Sequence, residues 1–161
     1  MGGKEKPESV NMESVKHDTY DALRLENQLC FPLYACAKEV IRQYRKPLDD
    51  LKLTYTQYIV MLVLWEFGDM TEGELGRKVY LDSGTLAPLL KRLEKQGLIE
   101  RVRPKNNERK LFLKLTADGE TLKQKALSVP LTMKQCIRMP EADISQVREL
   151  LLQALQSMEM R

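Results

Sequence analysis

Two groups of residues in this sequence could do chemistry. The first centres on Cys30, which stands two residues ahead of Pro32. Proline suits the first position of a helix, where its missing N–H costs nothing, so the spacing predicts a helix from Pro32 with Cys30 just before it. A helix N-terminus carries roughly half a positive charge and free N–H groups. Those favour a thiolate, the form that attacks a peroxide to give sulfenic acid. The other reading of Cys30 is a small buried apolar residue, the commoner fate of a cysteine. Cys36 falls inside the expected helix and reads as packing. The second group lies in DSGTLAPLLKRLEKQG, from Asp82 to Gly97. Ser83, Thr85, Lys91, Arg92 and Lys95 share its polar face: short hydroxyls in front and cations behind. That order suits a helix whose front end enters a DNA major groove, with hydroxyls reading base edges and cations holding phosphates. An ordinary amphipathic surface helix is the alternative.

No further constellation stands beside these. The one histidine, His17, sits in a polar leading stretch and reads as solvated. It leaves no Ser/His/Asp set, and no His/Cys cluster has metal-ligand spacing. No glycine-rich phosphate loop follows a strand. The expectation is no enzyme, no metal and no cofactor.

The elements that must position these residues are legible in part. Asp82 caps the Asp82–Gly97 helix and Gly97 ends it in a left-handed turn, with Leu86, Leu89, Leu90 and Leu93 as its apolar face. Pro88 removes one hydrogen bond and should bend the helix near Gly84. Upstream, TEGELGRKV (71–79) opens with a capping box of Thr71 and Glu74. Joined through Tyr80 and Leu81, the two helices have helix-turn-helix spacing. Downstream, LIERVR (98–103) and KLFLKL (110–115) alternate apolar and charged residues as strands do, around the turn PKNNER. The whole is a winged helix. Residues 84–116 hold nine Lys or Arg against three Glu, a balance of +6 in a chain of +3, so the remainder is −3. Positive charge is therefore concentrated on the recognition helix and wing, as a phosphate-binding surface requires.

The 161 residues, 43% hydrophobic, are enough for one domain with a core. No run approaches the roughly 20 apolar residues of a membrane span, and the first twenty residues lack the apolar run of a secretory signal. Three cysteines in such a chain point to free thiols in a reducing cytoplasm. Residues 1–22 read as a mobile tail and 23–161 as a single domain, with the winged helix at about 54–116. A helix from Pro32 to about Tyr44 or Arg45 carries Leu33, Ala37, Val40, Ile41 and Tyr44 on one side, and Pro47 ends or bends it. TQYIVMLVLWEF (56–67) is apolar nearly all round, so it should be buried, with Thr54 or Thr56 as its cap. After the wing, Thr116 caps a helix to about Ser128, Pro130 interrupts it, and SVPLTMKQCIRM carries Cys136. A last helix, Glu141 to Met158, places Ile144, Val147, Leu151, Leu155 and Met158 on one stripe. The terminal helices, about 23–50 and 117–160, have too little core of their own. They are expected to cover each other in a homodimer, presenting two recognition helices to two half-sites about one DNA turn apart. The fold class is mainly α with a small β wing: a winged helix-turn-helix with N- and C-terminal dimerisation helices.

These residues resemble the MarR family of bacterial winged-helix repressors, and within it the organic hydroperoxide resistance repressor branch (OhrR-like). The resemblance runs from Leu25 to the last helix. It rests on LENQLCF (25–31), LTYTQYIVMLVLWE (53–66), LDSGTLAPLLKRLEKQGLI (81–99), the wing and LTADG (115–119). It implies that Cys30 is the peroxide sensor and that Tyr44 and Tyr55 hydrogen-bond its thiolate across the dimer, with Tyr34 a further tyrosine near the site. From spacing alone these tyrosines read as packing. It also implies that the wing arginine reaching into the minor groove is Arg109, with Lys105 and Lys110 beside it. Two departures stand out. The family's wing has an Asp ahead of that arginine where this chain has Asn107, which weakens the pairing or passes it to Glu108. Cys136 lies where one subgroup carries a thiol that resolves the oxidised sensor; it is either that thiol or an unrelated one. The implied function is a repressor that binds a pseudo-palindromic double-stranded operator as a homodimer and leaves it when an organic hydroperoxide oxidises Cys30. Two rivals remain: a MarR-type repressor induced by a non-covalent ligand, and a thiol peroxidase using Cys30 with Cys136.

Overall fold

A computed structural model of the chain describes residues 20–103 and 111–159. The tail residues 1–19, the wing tip 104–110 and residues 160–161, with what the sequence leads one to expect of them, lie outside the described residues. In chain order the elements are a 3-10 turn at Leu25–Asn27, then α1 (Cys30–Asp49), α2 (Tyr55–Phe67), β1 (Met70–Thr71), α3 (Glu72–Val79) and α4 (Ser83–Lys95). They continue with β2 (Ile99–Val102), β3 (Phe112–Leu115), α5 (Ala117–Ala126), α6 (Ser128–Cys136) and α7 (Glu141–Glu159). The chain divides into two units, one up to Arg42 and one from Gln43.

In the second unit, local caps define the helices. Thr54 and Gln57 form a capping box at α2, and Thr71 and Glu74 form the expected one at α3. Gly97, at φ +73°, closes α4; Leu98 N–H returns to Leu93 C=O and Gly97 N–H to Glu94 C=O. Only a residue free of a Cβ adopts that left-handed turn without strain. Strands β2 and β3 pair antiparallel, Ile99 opposite Leu115 and Val102 opposite Phe112, and β1 adds to the free side of β3. The core is apolar and continuous. Val60, Met61 and Leu64 of α2, Leu75 of α3, Leu86, Leu90 and Leu93 of α4, Ile99, Leu113 and Val129 are all at most 1% exposed. The expectation that α2 is buried holds on most sides, although Leu62 and Phe67 face out.

Several expectations are corrected. Helix α1 begins at Cys30, not Pro32, and Pro47 does not end it, because the helix continues to Asp49. Pro47 lies within its last turn, where the burial of Leu48 holds the backbone in place. The break after α5 falls at Leu127, and Pro130 sits in the first turn of α6, where proline is tolerated. Helix α4 runs unbroken through Pro88. Strand β1 had no counterpart in the sequence reading.

The glycine of LTADG has a steric reason. A Cβ on Gly119 would lie 2.1 Å from the Leu98 carbonyl oxygen. The Gly119 carbonyl accepts the Trp65 indole N–H at 2.9 Å, and the Lys123 ammonium reaches the Trp65 carbonyl at 2.9 Å. Gly119 is therefore where α5 closes onto α2 and the α4–β2 turn. Gly119→Ala should lower stability by about 3 kcal/mol or more, the upper range for forced overpacking, read as the midpoint of thermal or urea unfolding. Unchanged stability would refute this close approach.

Candidate functional site

The helix-turn-helix is built by α3, the turn at Tyr80–Leu81 and α4. Tyr80 takes a left-handed conformation (φ 56°), and Leu81 N–H bonds Gly76 C=O at 3.0 Å. Asp82 caps α4 from outside: one carboxylate oxygen accepts Thr85 N–H at 2.9 Å and the other accepts the Thr85 hydroxyl at 3.1 Å. These bonds, the backbone one first, hold the Asp82 carboxyl below the usual carboxylate range. Thr85 thus keeps only its acceptor side free, a constraint invisible in the sequence. With Leu86, Leu90 and Leu93 turned inward, the 3.6-residue period aims Pro88, Lys91 and Lys95 outward and places Thr85 and Arg92 on one flank. Ser83 is exposed at the first position and Leu89 is half-buried.

The charges of this region divide into two sets. Arg101 pairs with Glu94 at 2.7 Å and Lys114 with Asp69 at 3.5 Å; the Arg101 guanidinium lowers the Glu94 carboxyl. Lys91, Arg92 and Lys95 make no ion pair among the described residues. Among the described residues, the outward face and flank of α4 therefore carry three cations without an ion pair. Lys105, Asn107, Glu108, Arg109 and Lys110 lie outside the described residues.

In the first unit, Cys30 is the first residue of α1 and is exposed; Leu29 C=O takes the first helical bond, from Leu33 N–H at 3.5 Å. It sits in the first turn rather than ahead of it. Tyr34 lies one turn further along, exposed, with the Lys38 ammonium 5.9 Å from its ring centre. Cys36, expected to pack, is exposed.

In the second unit, Tyr44 and Tyr55 come together with ring centres 4.9 Å apart. Tyr58, which the sequence reading did not single out, joins them at 5.9 Å from Tyr44 and stands 6.4 Å from Trp65. Its spacing of three from Tyr55 on one helix was the available signal. Burial pushes all three phenols above the ordinary tyrosine range; a neighbouring phenol adds to this at Tyr44, and both neighbours add to it at Tyr58. They stay neutral O–H donors at neutral pH. Cys136 ends α6 and is exposed. A groove of ≈ 1260 Å³ follows the helix-turn-helix face past Glu72, Arg77, Asp82 and Arg103. It carries charged groups of both signs and is open to solvent, unlike the enclosed pocket of a small-molecule site.

This geometry has counterparts in known proteins. The model of the family described as "Transcriptional regulator SarA/Rot" matches residues 42–126. The organic hydroperoxide resistance transcriptional regulator of Bacillus subtilis is 43% identical over 142 residues, 88% of this chain and 97% of that protein. The chain belongs to the MarR family of winged-helix regulators, in its organic hydroperoxide resistance branch. Within the MarR family, solved structures of AbfR, a protein of Staphylococcus epidermidis, are similar along the same length. Reduced AbfR bound to DNA has a TM-score of 0.70 at 36% identity, covering 87% of this chain and 98% of that one. Disulfide-formed AbfR scores 0.62 at 35% identity, covering 89% and 98%. Like them, this MarR-family chain is mainly helical with a small antiparallel wing sheet. Among the described residues, no helix is long and apolar enough to cross a membrane.

The tyrosine cluster yields a pH dependence. Folded-state values raised above the unfolded one, about 10, mean that stability is whole below that pH and falls as pH rises through the folded titration. An ultraviolet titration of phenolate should show late-ionising tyrosines, one fewer in each of Tyr44→Phe, Tyr55→Phe and Tyr58→Phe. Unaltered late ionisation in all three variants would dissolve the cluster.

Proposed function

We propose that this chain is a cytoplasmic DNA-binding repressor that senses organic hydroperoxides by oxidation of Cys30 and then releases its operator. One observation carries the reading: identity of 43% along 97% of a relative whose name states both a response, organic hydroperoxide resistance, and a role, transcriptional regulator. The unpaired cations on the outward face of α4 support the DNA-binding half. The operator is pseudo-palindromic double-stranded DNA, met by a homodimer. Exposed apolar side chains on the terminal helices support that assembly: Leu33 and Ile41 on α1, Val147, Leu151 and Met158 on α7.

In the reduced dimer, Ser83, Thr85, Lys91 and Arg92 meet the major groove, and Lys105, Arg109 and Lys110 of the wing meet the backbone and minor groove. The Cys30 thiolate accepts hydrogen bonds from Tyr44 and Tyr55 of the partner subunit, with Tyr34 near the site. Neutral phenols are the right donors for this, and charge-assisted bonds are roughly twice as strong as neutral ones. The thiolate attacks the outer peroxide oxygen; the O–O bond breaks, sulfenic acid forms, and the alkoxide takes up a proton to leave as alcohol. Sulfur loses two electrons and the peroxide gains them. Sulfenic acid is uncharged, so the bonds to the tyrosines weaken. A thiol, either Cys136 of the partner subunit or a small external one, then displaces water and forms a disulfide. The dimer helices shift and the two reading heads leave register with the groove. Because binding leans on phosphate contacts, a misplaced head costs several kcal/mol. Each chain reacts about once per event, so the protein is a stoichiometric sensor and not an enzyme.

The test is binding to a promoter fragment from the protein's own locus, with and without one equivalent of cumene hydroperoxide. Wild type should lose affinity by about a hundredfold, equivalent to ~3 kcal/mol, while Cys30→Ser stays bound. Cys136→Ser separates the internal from the external resolving thiol. Full release of Cys30→Ser by peroxide would reject the sensor and favour a ligand-responsive repressor.

A further inference from the structure

A second basic feature lies at the C-terminal end of α4, where that helix meets the loop before α2. A cleft of ≈ 450 Å³ is lined by Lys52, Thr54, Gln57, Arg92, Lys95 and Gln96. Three of these six are cations, drawn from two segments some forty residues apart in sequence. None of the three makes an ion pair among the described residues. Two of the other lining groups are already engaged with each other: Gln57, 4% exposed, closes the α2 capping box with Thr54. The cleft therefore presents ammonium and guanidinium groups with no carboxylate among its lining residues.

The backbone is shaped to keep Lys52 there. Lys52 has φ +55°, a conformation rare outside glycine. It is held on both sides by buried Leu51 and Leu53, and from above by Gln96, whose side-chain N–H donates to the Lys52 carbonyl at 3.0 Å. That bond ties the end of α4 to the loop between α1 and α2. The cleft also opens beside the first turn of α2, where the N–H groups of Tyr55 and Thr56 precede the first helical bond, Tyr58 N–H to Thr54 C=O. A smaller cavity of ≈ 200 Å³ shares Thr54, Gln57 and Arg92 with it and extends to Thr85 and Pro88. The basic cleft is thus continuous with the flank of the recognition helix.

We propose that the cleft between Lys52, Thr54, Arg92 and Lys95 seats one phosphate of the DNA backbone beside the groove that α4 reads. This rests on the DNA-binding reading above and adds Lys52, from the loop before α2, to the contacts of the recognition helix and wing. Lys52 and Lys95 neutralise the phosphate, and Gln96 positions Lys52. The loop that carries Lys52 joins Tyr44, near the end of α1, to Tyr55, the first residue of α2. The phosphate contact and the tyrosine pair therefore share one short, tethered segment.

Salt dependence tests this, with full-length dimer on operator DNA and on unrelated duplex of equal length. A phosphate contact carries no sequence information, so Lys52→Gln and Lys95→Gln should weaken both duplexes severalfold and alike. Each should reduce the slope of log affinity against log salt by about 1 per protomer. Lys52→Arg should restore the slope. Gln96→Ala should lower affinity with the slope unchanged, which mere destabilisation of the cleft's charge could not give. Lys125→Gln, an exposed cation on α5, should change neither quantity. If wild type binds the operator but the Lys52 and Lys95 variants keep its affinity and slope, the proposal is overturned while the DNA-binding reading stands. If wild type binds no DNA, both fail together. Saturable inorganic phosphate binding that Lys52→Gln abolishes, with DNA affinity untouched, would assign the cleft to a free anion and overturn the proposal.

Discussion

Leu86 is 1% exposed and Leu90 and Leu93 are not exposed at all, and their burial fixes the rotation of α4 about its own axis. Each such side chain contributes about 1.5–3 kcal/mol when taken out of water, so the helix has one favourable seating. Its two ends are fixed separately: Asp82 at the front through Thr85, and the Gly97 turn and Gln96 at the back. Rotation and both ends being set, the outward positions of Lys91 and Lys95 follow from helix geometry. The rest of the second unit serves this placement. Strands β2 and β3 grow from the Gly97 turn, and α5 is fastened to that turn by Thr116, whose hydroxyl donates to Gly97 C=O at 2.6 Å.

A repressor that must let go needs this rigid head joined to something that can change. The segment from Tyr44 to Tyr55 is a candidate joint in physical terms. It holds two half-buried phenols, a left-handed Lys52, and a side-chain bond to the end of α4. A change of charge at a thiolate alters hydrogen bonds worth more than neutral ones. A rigid lever of several helical turns converts a small movement at that joint into a larger one at the groove. The terminal helices, with apolar faces left exposed in a single chain, supply the surface across which two such heads are held at a fixed spacing.

What was legible in the sequence was local chemistry. Thr71, Glu74, Asp82, Thr116 and Gly97 announce their caps because capping depends on a few neighbouring residues. The alternating wing strands and the inward leucines of α4 follow from period alone. Prolines are weaker signals: Pro32 suggests a helix start and Pro47 an end or a bend, whereas both lie inside α1, since a proline is tolerated in a first turn and burial of Leu48 outweighs it near the end. Strand β1 is two residues long, too short to show a period, and exists because β3 has a free edge beside it. The cluster around Tyr58, the left-handed Lys52 and the basic cleft are tertiary features. Each brings together residues distant in sequence or sets a backbone angle that its residue type does not request. The roles proposed for Cys30, Tyr44 and Tyr55 come from resemblance to a family, because a thiol and two aromatics on helices read by default as packing.

The most direct test of the central claim joins chemistry to binding in one sample. Hydroperoxide is added in substoichiometric steps to the reduced protein on fluorescent operator DNA. At each step anisotropy reports the bound fraction, and mass spectrometry after sulfenic-acid trapping reports the oxidised fraction of Cys30. The account predicts that the two curves track each other and that both finish when about one equivalent per chain has been consumed. DNA release that runs ahead of Cys30 oxidation, or peroxide consumed through many turnovers while DNA stays bound, would contradict it.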